Sequence, residues 1–430
     1  MKNNLHLKNL KNWIPFFPLL LILLSITFLL SENVLQGDEG RYLKFSENLL
    51  NGYYANPELN QGFLWNGPGY PIILVPFKFF NSPFILIKLL NSIFLFFGVI
   101  FLYKSLRFNL NHKISLFFSY VGGITHPFFF KSITLILTES LCFFLISISL
   151  YYFLKYMNTR NKKYIYIFGI SSGFLILTKV FFSYVFLVLG VLSVLLFLFY
   201  DKKEKFLLKL SFYPFIICIP YLIYTYSLTG KIFYWSDAGG NTLYCMSTPF
   251  EGEYGDWFPI TVDESRFIEN LSKKNFHSFK PNTLKKNHLT FFKSIDSLNG
   301  INKDVILKNQ ALDNIFENKI KFLKNIVYNF GRVSIGYPLT STYKNPLIMI
   351  SYVFHFSLLL TPLLTSIFLI VYKNNLDFKI ILSFFSIFLI LTLLLPAGPR
   401  LIFPTYPIII FIISTLFINQ KKIIPIDNEI

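Results

Sequence analysis

Acidic residues are scarce in this chain: 22 Asp and Glu stand among 430 residues, against 40 Lys and Arg and 53 Phe. Charged residues make up only 14% of the chain and hydrophobic ones 53%. So few charges cannot clothe so much apolar surface in water, which excludes a string of soluble domains. Cysteine is nearly absent. Cys142, Cys218 and Cys245 have neither CxxC nor metal-ligand spacing, and the first two fall inside apolar runs, so no disulfide framework is expected. The sequence has no GxxxxGK[ST], GxGxxG or HExxH stretch, which removes the usual nucleotide-phosphate loops and the zinc-protease helix.

What remains is long apolar runs. A bilayer core of about 30 Å needs roughly 20 apolar residues per helix. Ten candidate spans follow: about 13–32, 82–103, 113–130, 133–154, 163–179, 182–200, 206–228, 346–372, 379–396 and 400–418. The first, after a basic start and without a small-residue cleavage signal, reads as a retained signal anchor. The formal charge of +18 sits mostly at the ends of these runs and not in one aromatic-laced patch, so no nucleic-acid partner is expected. Every second connection is basic: Lys104/Arg107/Lys113, Lys155/Arg160/Lys162/Lys163, Lys202/Lys203/Lys205/Lys209 and Lys373/Lys379, with Lys2/Lys8/Lys11 and Lys421/Lys422 at the ends. The positive-inside rule then puts both termini in the cytoplasm.

Two outer segments are long. Residues 33–81 form the first, and 229–345 the second, with helical periodicity across 301–330 (Ile306, Leu312, Ile315, Ile320, Leu323, Ile326). Each is expected to fold against the membrane surface. Three units result: 1–228 with the first outer loop, the outer segment 229–345, and the C-terminal spans 346–430.

The candidate chemistry lies at the outer ends of the spans. The first loop opens with Gly37-Asp38-Glu39-Gly40-Arg41-Tyr42. On a helix starting there, Asp38, Arg41 and Tyr42 share a face that Phe45 and Leu49 continue, and the helix should lie along the interface. The plain reading of Asp38 is a helix N-cap; the sharper one is a general base beside a phosphate-binding cation. Trp65–Pro71 reads as a rigid re-entry turn. Glu139, several residues into the fourth span, fits a salt bridge to a neighbouring helix or a cavity-facing role. Lys179 and Arg400 fit snorkelling or the same cavity. His126 and His355 read as packing or interface residues.

These segments resemble membrane glycosyltransferases of the C fold type, the branch holding protein O-mannosyltransferases, lipid A aminoarabinose transferases and bacterial polyprenyl-phosphate-sugar transferases. The carriers are GDEGRYLKFSENLLNGYYANP (37–57), GPGYPIILVPF (67–77), ILTESLCFFL (136–145), GFLILTKVFFSYVFL (173–187), PYLIYTYSLTGKIFYWSDAGGNTLYCMSTP (220–249) and PRLIFPTYPIIIF (399–411). The resemblance implies an all-α polytopic fold of about ten transmembrane helices, a first outer loop of juxtamembrane helices and a large second outer segment. It implies an inverting transfer from a polyprenyl-phosphate-linked sugar to a lipid, glycan or protein acceptor on the outer face of what reads as a bacterial inner membrane, without cofactor or metal. Asp38 would be the base and Glu39 would orient the loop or the acceptor. Arg41, Lys179 and Arg400 would hold the lipid phosphate, with Tyr42 and Glu139 beside them. Lys179 stands where arginine is usual, Asn66-Gly67 replaces a lysine of the aminoarabinose branch, and Tyr224-Thr225-Tyr226 stands where Arg-Asn-Tyr is frequent. The enzymatic alternative is an envelope polysaccharide ligase or polymerase using a lipid-linked glycan. The non-enzymatic one is a lipid or sugar transporter, against which the missing inverted repeat argues.

Overall fold

The structure is a computed structural model that describes residues 14–55, 63–199, 205–263, 281–336, 349–361 and 376–415. Among these residues every regular element is helical. The first membrane half runs α1 (Phe17–Leu30), α2 (Glu39–Leu50), α3 (Gly69–Phe79), α4 (Phe84–Leu106), α5 (His112–Ile124), α6 (Phe129–Thr134), α7 (Glu139–Thr159), α8 (Lys162–Thr178), α9 (Phe181–Phe199) and α10 (Lys205–Thr229). The outer segment supplies α11 (Gly239–Met246), α12 (Pro281–Ile295), α13 (Gly300–Glu317) and α14 (Lys319–Ile335). Then come α15 (Met349–Thr361), α16 (Leu376–Leu393), α17 (Pro399–Ile402), a 3-10 turn at Phe403–Thr405, and α18 (Tyr406–Ser414).

Among the described residues five helices are long and apolar enough to cross a membrane: α4, α7, α9, α10 and α16. Their 18 to 25 residues rise about 27–38 Å. They match the expected spans 82–103, 133–154, 182–200, 206–228 and 379–396. Other expected spans are realised in shorter pieces. The run 113–130 becomes the 13-residue α5 followed by α6, and 400–418 becomes α17, a 3-10 turn and α18. Most of 346–372 beyond α15 and the terminal lysine clusters lie outside the described residues.

One boundary needs correction. The fourth span begins at Glu139, not at 133, so Glu139 is the first residue of α7 and not a residue several positions inside it. The physical cause is a diverted backbone donor. Leu135 is extended, and the N–H of Ile136 goes to Glu39 Oε1 at 2.6 Å and not to an intrahelical carbonyl. A continuous helix through 133–139 is thereby broken.

One apolar core runs through the membrane helices and into the first outer loop, joining Phe143, Leu175 and Phe403 to Tyr42, Phe45, Tyr54 and Tyr70. Phe45, on the face expected to continue Asp38, Arg41 and Tyr42 along the interface, is buried inside the chain, and its helix packs on α3. Serines stitch the bundle: Ser149 Oγ meets Ser171 Oγ at 2.7 Å between α7 and α8, and Ser193 meets Ser211 at 3.0 Å between α9 and α10. The outer segment has its own smaller core of Tyr244, Phe258, Leu284, Phe292, Leu307 and Ala311.

Candidate active site

The loop after α1 and the N-termini of α7 and α17 meet at one end of the bundle, where α8 and α16 finish. Each brings a charge. Arg400, on α17, donates through Nη1 to Asp38 Oδ2 at 2.7 Å and through Nε to Glu139 Oε1 at 2.7 Å. Lys179, which caps the C-terminus of α8, donates to the same Glu139 oxygen at 3.1 Å. Arg41 Nη1 lies 3.6 Å from Asp38 Oδ1. Three cations thus face two carboxylates.

The burial of these groups is graded. Glu139 is fully buried, whereas the Asp38 and Arg400 side chains keep about a third of their surface, 31% and 33%. Lys179 and Arg400 do not snorkel free; both are tied to Glu139. Asp38 sits at the N-cap position of α2 but makes no side-chain cap, so the plain capping reading is overturned. Its carboxylate turns instead to Arg400. Burial alone would raise the Asp38 pKa, but the charges of Arg400 and Arg41 outweigh it and hold the carboxyl below its ordinary value. The same burial, with Asp38 nearby, pushes the Tyr42 hydroxyl up and keeps it protonated.

Glu39 faces the other way. It is completely buried, and its carboxylate accepts the N–H groups of Ile136 and of Gln36, the latter at 2.5 Å. That clamps the start of α2 onto the segment entering α7.

The re-entry turn has a larger part than its glycines and prolines announced. Asn66 Oδ1 accepts from Arg41 Nη1 at 3.4 Å, Asn66 Nδ2 donates to Tyr42 Oη at 3.3 Å, and its backbone carbonyl accepts from Tyr54 Oη at 2.6 Å. The Arg41 guanidinium lies 5.0 Å from the Trp65 ring centre. A Cβ on Gly67 would stand 2.1 Å from the Leu177 carbonyl oxygen, and one on Gly69 2.5 Å from Thr178 Oγ1. The turn therefore lies directly on the last residues of α8, beside Lys179. Tyr224, in the place of the frequent arginine, accepts the N–H groups of Tyr54 and Ala55 at 3.1 and 3.0 Å. The outer segment closes on this loop through Ser236 Oγ, which donates to Trp65 O at 3.0 Å.

His126 and His355 pack ring to ring at 4.7 Å beneath α17, with His355 Nδ1 2.7 Å from Tyr406 Oη. Among the described residues no group of three His, Cys, Asp or Glu side chains has the geometry to hold a metal ion. Deeper in the bundle an apolar cavity of about 320 Å³ opens between α7, α9, α10 and α16, bordered by Ile146, Leu150, Phe153, Phe186 and Phe384. Ile146 lies seven residues after Glu139, roughly 10 Å along α7.

The chain is an integral-membrane glycosyltransferase of the C fold type. The model of the Alg9-like mannosyltransferase family matches residues 13–246, more than half of the sequence, and the chain belongs to that family. No curated protein matches it. Solved structures similar in outline include two of one protein. ArnT from Cupriavidus metallidurans bound to undecaprenyl phosphate has 12% identity and a TM-score of 0.40 over 94% of this chain and 77% of that one. The apo state of the same protein has 13% identity and a TM-score of 0.40 over 92% and 77%. Similarity of that degree leaves the site to be argued from its own residues.

Proposed function

We propose that the protein moves a sugar from a polyprenyl-phosphate carrier to an acceptor on the outer face of the membrane, with inversion at the anomeric carbon. The observation that carries this reading is Arg400 spanning Asp38 and Glu139, with Lys179 and Arg41 alongside, at a partly open end of the bundle. In the free protein Arg400 is held by two carboxylates. An arriving lipid phosphate would compete with Asp38 for Arg400 Nη1, while Glu139 keeps Nε. Asp38 is then released as a base at the moment the donor is seated. The acceptor hydroxyl gives its proton to Asp38 and its oxygen attacks the anomeric carbon. The bond from that carbon to the phosphate oxygen breaks, and its electron pair stays on the phosphate. The leaving phosphate gains negative charge, which the preorganised cations Arg41, Lys179 and Arg400 stabilise in a poorly hydrated pocket. Tyr42, through Asn66, helps fix Arg41, and Glu39 holds the loop.

In this reading the donor's isoprenoid tail occupies the apolar cavity below Glu139, and 229–345 supplies the acceptor side. Ten spans with both termini cytoplasmic, in a bacterial inner membrane, complete the picture. The test is to incubate purified protein with polyprenyl-phosphate monosaccharides, beginning with mannose because of the family's chemistry. Loss of sugar from one donor, abolished in Asp38→Asn, is the expected result. Turnover only of a lipid-linked oligosaccharide would decide for a ligase or polymerase, and transport without sugar transfer would sink the enzymatic reading.

A further inference from the structure

Helix α14 is built inside out. Its buried positions are polar but for Val333 in the last turn: Lys321, Asn325, Asn329, Arg332 and Ser334. Each is engaged within the chain. Lys321 Nζ donates to the Glu253 carbonyl, and Asn325 Nδ2 to the carbonyls of Met246 and Thr248 at 3.0 and 3.1 Å. Arg332 donates to those of Tyr254 and Gly255 at 2.7 and 2.8 Å. The outward positions Ile320, Leu323 and Val327 are 73%, 60% and 70% exposed, and Phe316, at the end of α13, is 68% exposed. Positions 320, 323 and 327 follow the i, i+3, i+7 spacing of one helix face.

A helix bordering water turns its apolar face to the protein and its polar face outward. One that does the reverse borders something apolar. Its last turns fix where. Asn329 Nδ2 donates to the carbonyls of Leu393 and Leu395 at 3.0 and 2.6 Å, and its Oδ1 accepts from the N–H of Ala397 at 2.9 Å. Those residues are where the membrane-spanning α16 ends and the chain turns into α17, so α14 is anchored at the rim of the bilayer. Lys319 and Lys324, both exposed, stand on the outward side.

We propose that Phe316, Ile320, Leu323 and Val327 are seated in the boundary between headgroups and acyl chains, with Lys319 and Lys324 meeting lipid phosphates. The outer segment then rests on the same leaflet that delivers a lipid-linked substrate. A second copy of the chain fits this face less well, because a two-fold contact would repeat Lys319 and Lys324 from both copies within one interface. The inference depends on membrane integration and stands whether or not Asp38 is the base.

The experiment places a bimane on Leu323→Cys or Val327→Cys in the full chain, labelled in detergent and reconstituted in phosphatidylethanolamine/phosphatidylglycerol nanodiscs. Ser297→Cys, in the exposed turn between α12 and α13, is the water-facing control. The native cysteines are buried, so labelling reports the added thiol. Brominated lipids are expected to quench the α14 labels at least three-fold more than the control. Before labelling, a membrane-impermeant maleimide should react with these thiols roughly ten-fold more slowly in nanodiscs than in detergent. Quenching equal to that of Ser297→Cys overturns the proposal. So does protection from maleimide without bromine quenching, which would instead assign the face to a protein partner or second copy.

Discussion

Two clusters of charge, one within 229–345 and one at the head of the helix bundle, use their cations differently. In the outer segment Arg332 is 1% exposed and gives its hydrogen bonds to two backbone carbonyls and to Asn329 Oδ1, with the Asp256 carboxylate farther off at 3.9 Å from Nε. There too, the buried Glu253 carboxylate takes His288 Nε2 at 2.9 Å and Asn287 Nδ2 at 2.8 Å, and Thr248 Oγ1 donates to it as well. At the head of the bundle, Arg400 and Lys179 contact carboxylate side chains, and Arg400 keeps a third of its surface. A cation bound to backbone carbonyls cannot leave without opening the fold. A cation held by a movable carboxylate can exchange that partner for a phosphate. The first arrangement is scaffold and the second is suited to a ligand.

Substitutions should separate the two. Asp38→Asn keeps shape and removes the base, so kcat should fall about 10²–10⁴-fold, with only a small fall in the melting transition in detergent because the lost ion pair to Arg400 is about a third exposed. Arg400→Ala should cost about 10²–10³-fold in kcat, yet Glu139 retains Lys179, so the loss of stability stays modest. Arg332→Leu inverts that pattern. Stranding two buried carbonyls and Asn329 should destabilise the outer segment by about 3–5 kcal/mol, read by thermal unfolding, with activity falling only as folded protein is lost. Equal behaviour of Arg400→Ala and Arg332→Leu in both assays would erase the distinction. Gly67→Ala ranks next. Its Cβ would meet the Leu177 carbonyl, and relief must lift the turn from α8. A stability loss of about 1–3 kcal/mol is expected, with a raised KM as Asn66 drifts from Arg41.

How far the sequence showed all this depends on the distance over which each signal acts. Asp38, Glu139, Lys179 and Arg400 were legible because a charge beside an apolar run is conspicuous by itself. Their convergence needed the fold, since Arg400 lies 261 and 362 residues from its partners. Asn66 and Tyr224 stood out only as departures from a family lysine and arginine, and Tyr54 only as part of the 37–57 segment: a turn asparagine and interfacial tyrosines are common, and only tertiary hydrogen bonds give them a task. The residues 301–330 read as helical and are, broken at Asn318. Periodicity marks an apolar face of α14 but is silent on whether protein or lipid meets it. The start of α7 was misplaced because one distant carboxylate, Glu39, captures Ile136 N–H.

The smallest expected effect is a flat line, and it tests the pairing most directly. Arg400 and Arg41 more than offset the upward pull of burial on Asp38, leaving its folded pKa below 3.8. A depressed carboxyl stabilises the fold above the unfolded value, and that contribution is lost as pH falls through the folded one. Asp38 should therefore stay ionised from about pH 5 upward, and kcat/KM, which reports the free enzyme, should show no acid limb from it between about pH 5 and 7. Arg400→Ala removes the largest charge opposing burial. Its residual activity should then acquire an acid limb at higher pH than in the unaltered protein, and Arg400→Lys should restore much of the flat profile. An acid limb near neutrality in the unaltered protein, unmoved by Arg400→Ala, would mean that Arg400 does not hold Asp38 in the resting state. The exchange of Asp38 for phosphate on Arg400 would then have no starting point.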